Sequence, residues 1–307
     1  MRISGVQIED TFAEAFAMKA AKVIVTAVNH RWALNAAQAA TGFATSIIAC
    51  QCEAGIDALL EPADTPDGRP GVELLFFTVS SKHMEKQLLN RIGQCVMTCP
   101  TTACYDGLPS EKKLKIGGKL RYFGDTFQSS KWLDGRRIWR VPMMDGEYLT
   151  DESISLHKAI GGGNFFILAQ DQASALAAAE AAIQAMKKIP DVIMPFPGGV
   201  VRSGSKLGSR YKGQAVSVNT GYCPTIRKQT ETELPDGVNA VLEIVIDGLS
   251  EQAVSQAMRV GIKNACRRGV VRISAGNYGG ELGQYHFGLR DIMDNTSRQT
   301  ESSVAAD

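Results

Sequence analysis

In the second half of the chain, apolar positions switch in a regular order between strand-like runs and helical spacing. A short apolar run spans 164–169. Asp171 then stands at an N-cap position ahead of an alanine-rich stretch with Leu176, Ala179, Ile183 and Met186 at helical spacing. Pro190 ends that helix, and 191–196 resumes as a strand. A long Gly/Ser-rich connection leads to a strand over 239–246. Ser250 caps a helix whose apolar face includes Val254, Ala257, Met258 and Ile262, and 270–274 is again extended. The order β-α-β, twice, predicts a split ferredoxin-like unit: an antiparallel sheet with both helices on one face and the other face open.

The first half follows a looser version of the same grammar. It reads as helix over 11–21, strand over 22–28, helix over 33–40, strands over 46–52 and 72–79, and helix over 81–93, then strands around 114–123 and 137–142. The predicted class is therefore α+β, with tandem duplicated ferredoxin-like lobes. An N-terminal lobe covers 1–150, a C-terminal lobe with Gly-rich substrate loops covers 151–294, and a Ser/Thr/Gln-rich flexible tail covers 295–307. No solenoid period is present.

Length agrees with this division, since 307 residues at roughly 150 per domain give two lobes able to bury a core without disulfide or metal staples. Lys and Arg number 33 against 32 Asp and Glu, for a net charge of +1, so neither a nucleic-acid partner nor an anionic membrane is expected. Glu9 and Asp10 arrive before any apolar run has built up, so no secretory segment is read and a cytoplasmic location is expected. The uncharged stretch 32–52 has the length of a membrane span, but Asn35, Gln38, Thr41, Thr45, Ser46 and Gln51 would need partners in lipid. Seven cysteines, an odd number, read as free thiols in a reducing compartment.

Several chemistries lack their residues. Cys50, Cys52, Cys95, Cys99 and Cys104 form no CxxC pair, and His30, His83, His157 and His286 are scattered, so no metal site is expected. Gly161-Gly162-Gly163 precedes a strand, whereas phosphate loops follow a strand and open a helix. There is no GxSxG elbow and no aromatic-rich RNA-binding strand.

One residue is out of place. Alternation along 241–247 sends Leu242, Ile244 and Ile246 to one face of a strand and Val241, Glu243 and Val245 to the other. If the first set lies under the helices, Glu243 is on the open face, where its valine neighbours suggest cover by another lobe or subunit. There its carboxyl group loses hydration and keeps its proton toward neutral pH, fit to donate to a developing oxyanion. A glutamate on a solvated sheet face is the alternative. Glycine-rich loops at Pro197-Gly198-Gly199, at 202–209 with Ser203, Ser205 and Lys206, and at 274–280 with Asn277 suit close backbone approach to a ligand, although plain connections use the same residues. Lys206, Arg210 and Lys212 could attract carboxylate or phosphate tails; Lys112, Lys113, Lys115, Lys119 and Arg121 read mainly as solubilising charge.

Longer segments carry a family resemblance. The opening 5–16, Glu53-Ala54-Gly55-Ile56-Asp57, 65–72, Arg91-Ile92-Gly93-Gln94-Cys95, Gly162-Gly163-Asn164-Phe165, 195–199, Tyr222-Cys223-Pro224-Thr225, Glu243-Ile244-Val245-Ile246 and 274–285 resemble formylmethanofuran:tetrahydromethanopterin formyltransferases, over about residues 3–291. The resemblance implies a duplicated ferredoxin-like fold and transfer of a formyl group between the amine of methanofuran, or an analogue with a glutamyl tail, and N5 of tetrahydromethanopterin. It implies both carriers as co-substrates with no permanently bound cofactor, a catalytic carboxyl at Glu243, and substrate contacts from Gln94, Asn164, Phe165, Pro197, Gly198, Gly199, Ser203, Ser205, Lys206, Tyr222, Cys223 and Asn277. It further implies a homo-oligomer, dimer or tetramer. Neutral charge, unlike acidic archaeal members, points to the methylotrophic bacterial form, a subunit of a formyltransferase/hydrolase complex running toward formate. A scaffolding subunit of that complex and an unrelated two-lobed binding module are the alternatives.

Overall fold

The computed structural model describes residues 1–294; the tail expected over 295–307 lies outside them. Two ferredoxin-like units follow one another. The first contains β1 (Phe12–Thr26), α1 (His30–Thr41), β2 (Glu53–Leu60), β3 (Gly71–Thr78), α2 (Ser81–Arg91) and β4 (Ala103–Asp106). Its strands pair antiparallel in the order β4-β1-β3-β2. The second contains β5 (His157–Ala169), α3 (Gln172–Met186), β6 (Val192–Ile193), β7 (Ala240–Gly248), α4 (Glu251–Ala265) and β8 (Val270–Ser274). Its order, β8-β5-β7-β6, repeats the first. The tandem ferredoxin-like reading of the sequence is the architecture found.

The lobes share one sheet, because β1 pairs with β5 from Phe16↔Gly161 to Ala20↔His157. Helices lie where the apolar stripes put them. Asp171 accepts from Ser174 N at 2.8 Å and Ser250 from Ala253 N at 3.1 Å, satisfying N-terminal donors of α3 and α4. Ala178, Ala182, Met186, Val254, Ala257 and Met258 then pack on Phe165, Ile167, Ile244 and Ile246, and each large side chain fully withdrawn from water stabilises the fold by roughly 1.5–3 kcal/mol.

The N-terminal lobe departs from its sequence reading in identifiable places. Residues 11–21 are not helical but the first two thirds of β1. Its Ala, Glu, Met and Lys favour helices, yet partners on both edges, β5 and the strand Tyr285–Gly288 among them, override propensity. Within 46–52 a short helix, Ile47–Cys50, capped by Ser46, replaces the expected strand. Over 114–123 the chain forms a helix, Ile116–Leu120, and a 3-10 turn, Arg121–Gly124. In 191–196 only Val192–Ile193 pairs, since Pro195 and Pro197 have no N–H for a ladder. The unread strands Val6–Ile8 and Tyr285–Gly288 join the beginning of the chain to its C-terminal lobe, where Val6, Ile8, Ala13 and Ala15 enter the core.

Candidate functional site

Register on β7 sends Ile244 and Ile246 under α3 and α4 and leaves Glu243 and Asp247 on the opposite face. That face is not bare. The connection between β6 and β7 first bridges the edge of β7, Val201 N donating to Glu243 O at 2.7 Å and Glu243 N to Val201 O at 2.9 Å, and then crosses that face. Tyr222 stands edge-on to Phe166 with centroids 4.7 Å apart, and Leu234 and Val238 close the cluster. The cover expected from another lobe or subunit is thus supplied, at this strand, by the lobe's own connection. Glu243 is half-buried beside Phe166, its cross-strand partner, and no side chain among the described residues pairs with its carboxyl group. Burial alone pushes its pKa up to about 7.

Glu243 looks into a cavity of about 970 Å³ bordered by both lobes: Gly161, Gly162 and Asn164 on one side, Ser46, Ile47 and Ile48 on another. The charged residues at its wall are Glu9, Glu14, Glu53, Glu233 and Glu243 against Lys206. It is an acidic cavity. Of the cations expected to attract substrate tails, Lys206 reaches the wall, with Nζ donating to Thr220 Oγ1 at 2.7 Å, while Arg210, Lys212 and those in 112–121 do not line it.

Glu14 builds the far wall. Its carboxylate, fully buried on β1, accepts from the backbone N–H groups of Tyr278 (2.6 Å), Gly280 (3.0 Å), Leu282 (2.6 Å) and Gly283. Burial works to raise its pKa, but the four donors outweigh it and hold it at about 2. The loop it gathers turns through Gly279 and Gly280 at φ 78° and 79°, where side-chain-bearing residues are strained. Asn164 clamps the same loop one turn earlier: Nδ2 donates to Gly276 O at 3.1 Å and Oδ1 accepts from Gly276 N at 2.6 Å. Asn277 ties it to β1 through Phe12 O at 3.1 Å.

At the cavity wall, Glu53 at the head of β2 meets the buried Asp247 near the end of β7, carboxyl against carboxyl. Burial raises both pKa values, and the neighbouring carboxylate raises Asp247 further.

The residues expected to bind substrate fall into three groups. Asn164, Ser205, Lys206, Tyr222 and Asn277 line the main cavity with Glu243. Ser203 and Cys223 border a recess of about 40 Å³ that also touches Glu243 and Tyr222. The third group stands apart. Phe165 is in the helix-side core, paired across from Ile244, and Phe166 takes the cavity side instead, as strand alternation requires. Pro197 and Gly198 are exposed away from the cavity wall, and Gly199, at φ 85°, packs against Ile183 of α3. Gln94 is exposed on the π-helical turn Ile92–Val96. Sequence reasoning did not single out Glu14, Glu53 or Asp247. Strand alternation was the available signal for Glu14, and the helix reading of 11–21 concealed it. Among the described residues no three His, Cys, Asp or Glu side chains group as a metal site, and all seven cysteines are free.

Comparison with known proteins agrees along the whole described chain. The family model for formylmethanofuran-tetrahydromethanopterin formyltransferase matches residues 1–143, and the model for the proximal lobe of that family matches 146–292. A formyltransferase of that name from Methylococcus capsulatus is 58% identical over 297 residues, covering 95% of this chain and 100% of the relative. The solved structure of the Methanosarcina barkeri enzyme superposes with a TM-score of 0.91 at 51% identity, covering 95% of this chain and 100% of that one. A chain of the Methylorubrum extorquens formyltransferase/hydrolase complex, solved with methylofuran, gives 0.93 at 48% identity, covering 95% and 98%. With both halves matched in order, and with a half-buried acid facing a cavity walled by both lobes, the chain belongs to the formylmethanofuran–tetrahydromethanopterin formyltransferase family and is a formyltransferase.

Proposed function

We propose that this formyltransferase moves the formyl group directly between N5 of a tetrahydromethanopterin and the amine nitrogen of a methanofuran or close analogue, both held at once in the cavity, with Glu243 as the catalytic acid. The unprotonated nitrogen of one carrier attacks the formyl carbon, and the carbonyl π electrons move to oxygen. Protonated Glu243 donates a hydrogen bond to that oxygen, which carries more charge in the tetrahedral intermediate than in the amide and is worth more in a water-poor site. Collapse re-forms C=O and breaks the bond to the other nitrogen, which takes up the proton that the attacking nitrogen sheds. Holding both carriers in line supplies much of the acceleration.

The observation that carries the acid role is an unpaired carboxyl group with its pKa at about 7, facing a cavity of about 970 Å³. Participation in a larger complex is supported by the methylofuran-bound relative and by exposed Tyr122, Phe123, Phe127 and Trp132 on the N-terminal lobe, an apolar surface of the kind subunit contacts use. A homo-oligomer and a cytoplasmic location remain part of the proposal; no helix among the described residues is long and apolar enough to cross a membrane.

The test is to mix the protein with formyl-tetrahydromethanopterin and a methanofuran analogue and follow loss of formyl-pterin absorbance. Transfer that falls by ~100-fold or more in Glu243→Gln supports the mechanism. Equal rates in the two proteins sink the acid role, and no transfer by the wild type favours a scaffolding subunit.

A further inference from the structure

The carboxyl pair at the cavity wall joins the two lobes. Glu53 belongs to the N-terminal lobe and Asp247 to the C-terminal lobe. Each has one oxygen committed to a backbone donor of its own lobe: Glu53 Oε1 accepts from Ile47 N at 3.1 Å, and Asp247 Oδ1 accepts from Gly162 N at 3.0 Å. Those two donors belong to cavity-lining segments of different lobes. Ile47 opens the short helix Ile47–Cys50, which lines it with Ser46 and Ile48. Gly162, at φ 94°, is the centre of the β5 bulge that lines it with Gly161.

The two carboxyl groups meet beyond those bonds. Asp247 has no exposure, and among the described residues its Oδ2 finds no hydrogen-bond donor. Nearby cations are engaged elsewhere: Lys22 with Asp57, Glu73 and Asp191, and Arg91 with the carbonyls of Ala40, Gly42 and Phe43. Two buried anions in contact without a cation are strongly unfavourable, so a proton fills the gap. The absence of a Cβ at Gly161 leaves Asp247 Oδ1 room to reach the bulge.

We propose that Glu53 and Asp247 are positioning residues for the transfer: the proton shared between their carboxyl groups ties the Ile47 wall to the Gly162 wall and sets the spacing at which the two carriers meet. Neither residue needs to touch the reacting atoms. Asp247 lies on the same face of β7 as Glu243 but four residues along, about 13 Å away at strand rise. The role in the reaction rests on the formyl-transfer reading above; the tie itself does not.

Three variants separate the possibilities. Glu53→Ala removes the tie, whereas Glu53→Gln and Asp247→Asn replace the shared proton with an amide donor to the remaining carboxylate. Without substrates, hydrogen exchange at the amides of Ile47 and Gly162 is expected to speed by about tenfold or more in Glu53→Ala and to return to within about threefold of wild type in the two amide variants. In steady-state kinetics Glu53→Ala is expected to raise KM for at least one carrier by about tenfold with kcat changed less than about threefold, and Glu53→Gln to recover most of that loss. If Glu53→Ala does not fold, Glu53→Leu keeps the volume, removes the hydrogen bond and takes its place. The proposal is overturned if removing the tie leaves exchange and KM at wild-type values, or if the amide variants behave like Glu53→Ala at an unchanged Tm. A wild type with no transfer activity overturns the formyl-transfer reading and the positioning role with it, while the exchange measurement still decides whether the tie exists.

Discussion

The duplicated fold puts a glutamate on the same face of the same strand in each lobe, and the two have opposite fates. Glu73 on β3 and Glu243 on β7 both sit on the third strand of their unit, both point away from the helices, and both are half-buried. Glu73 meets Lys22 at 3.3 Å, in a cluster where Lys22 also reaches Asp57 at 2.9 Å and Asp191 at 2.7 Å. Burial alone would pull the Lys22 pKa down, but the carboxylates hold it above the usual lysine value. Glu243 stands across from Phe166, with Tyr222 on the same cavity wall, and no cation among the described residues pairs with it. Farther along β3 the same face is sealed by Leu75 and Phe77 against Ala159 and Ile193 of the other lobe, whereas along β7 it opens into the cavity. A counter-charge and an apolar seal turn one copy into a lobe–lobe joint; their absence leaves the other copy an acid near neutrality.

Substitutions can break this contrast from either side. The largest effect is expected at Lys22→Met, which strands three carboxylates at the joint and should destabilise the protein by about 3–5 kcal/mol in denaturant unfolding; a loss under about 1 kcal/mol would mean that the joint does not depend on its cation.

Glu243→Gln comes next. A hundredfold fall in transfer corresponds to about 2.7 kcal/mol of transition-state stabilisation. The pKa of Glu243 is raised from 4.5 to about 7, so the stability and the acid form that accompany its proton are fully present below about 4.5 and are lost as pH rises through 7. The rate should therefore fall above neutral pH in the wild type, and Glu243→Gln should show a flatter profile and a relative gain in Tm at pH 8. An alkaline limb that persists unchanged in the variant would assign it to another group.

Glu14→Gln is expected to loosen the 278–283 loop and raise KM about tenfold, since a neutral amide accepts four backbone donors poorly. Limited proteolysis of that loop in the free enzyme provides the independent reading. The smallest effect is expected at Glu73→Gln, about 1 kcal/mol or less in stability with transfer within about twofold of wild type, because Lys22 keeps Asp57 and Asp191. A large loss of transfer there would erase the distinction between the two glutamates.

Much of the C-terminal lobe was legible because its signals are local. Asp171 and Ser250 start helices through bonds to residues three positions away, and alternation from Val241 to Asp247 assigns faces without knowledge of any partner. The N-terminal lobe was less legible where pairing overrides propensity, as in 11–21, which is helix-like by composition and a strand by virtue of its neighbours on both edges. At the site, Phe165 and Phe166 were distinguishable only once the register against Ile244 and Glu243 was known.

By itself, then, the chain's order of residues determined two split β-α-β units, their caps, the family resemblance and an acid on the face away from the helices, since each depends on neighbours within a few positions or on long runs of matched residues. Tertiary structure alone decided that β1 serves both lobes, that Glu14 gathers a loop from the far end of the chain, that the carboxyl groups of Glu53 and Asp247 meet across the lobes, and that the cavity is acidic rather than basic. Those features are bonds and fields between groups far apart in sequence, and no local pattern encodes which distant donor, cation or wall a side chain meets once the chain has closed.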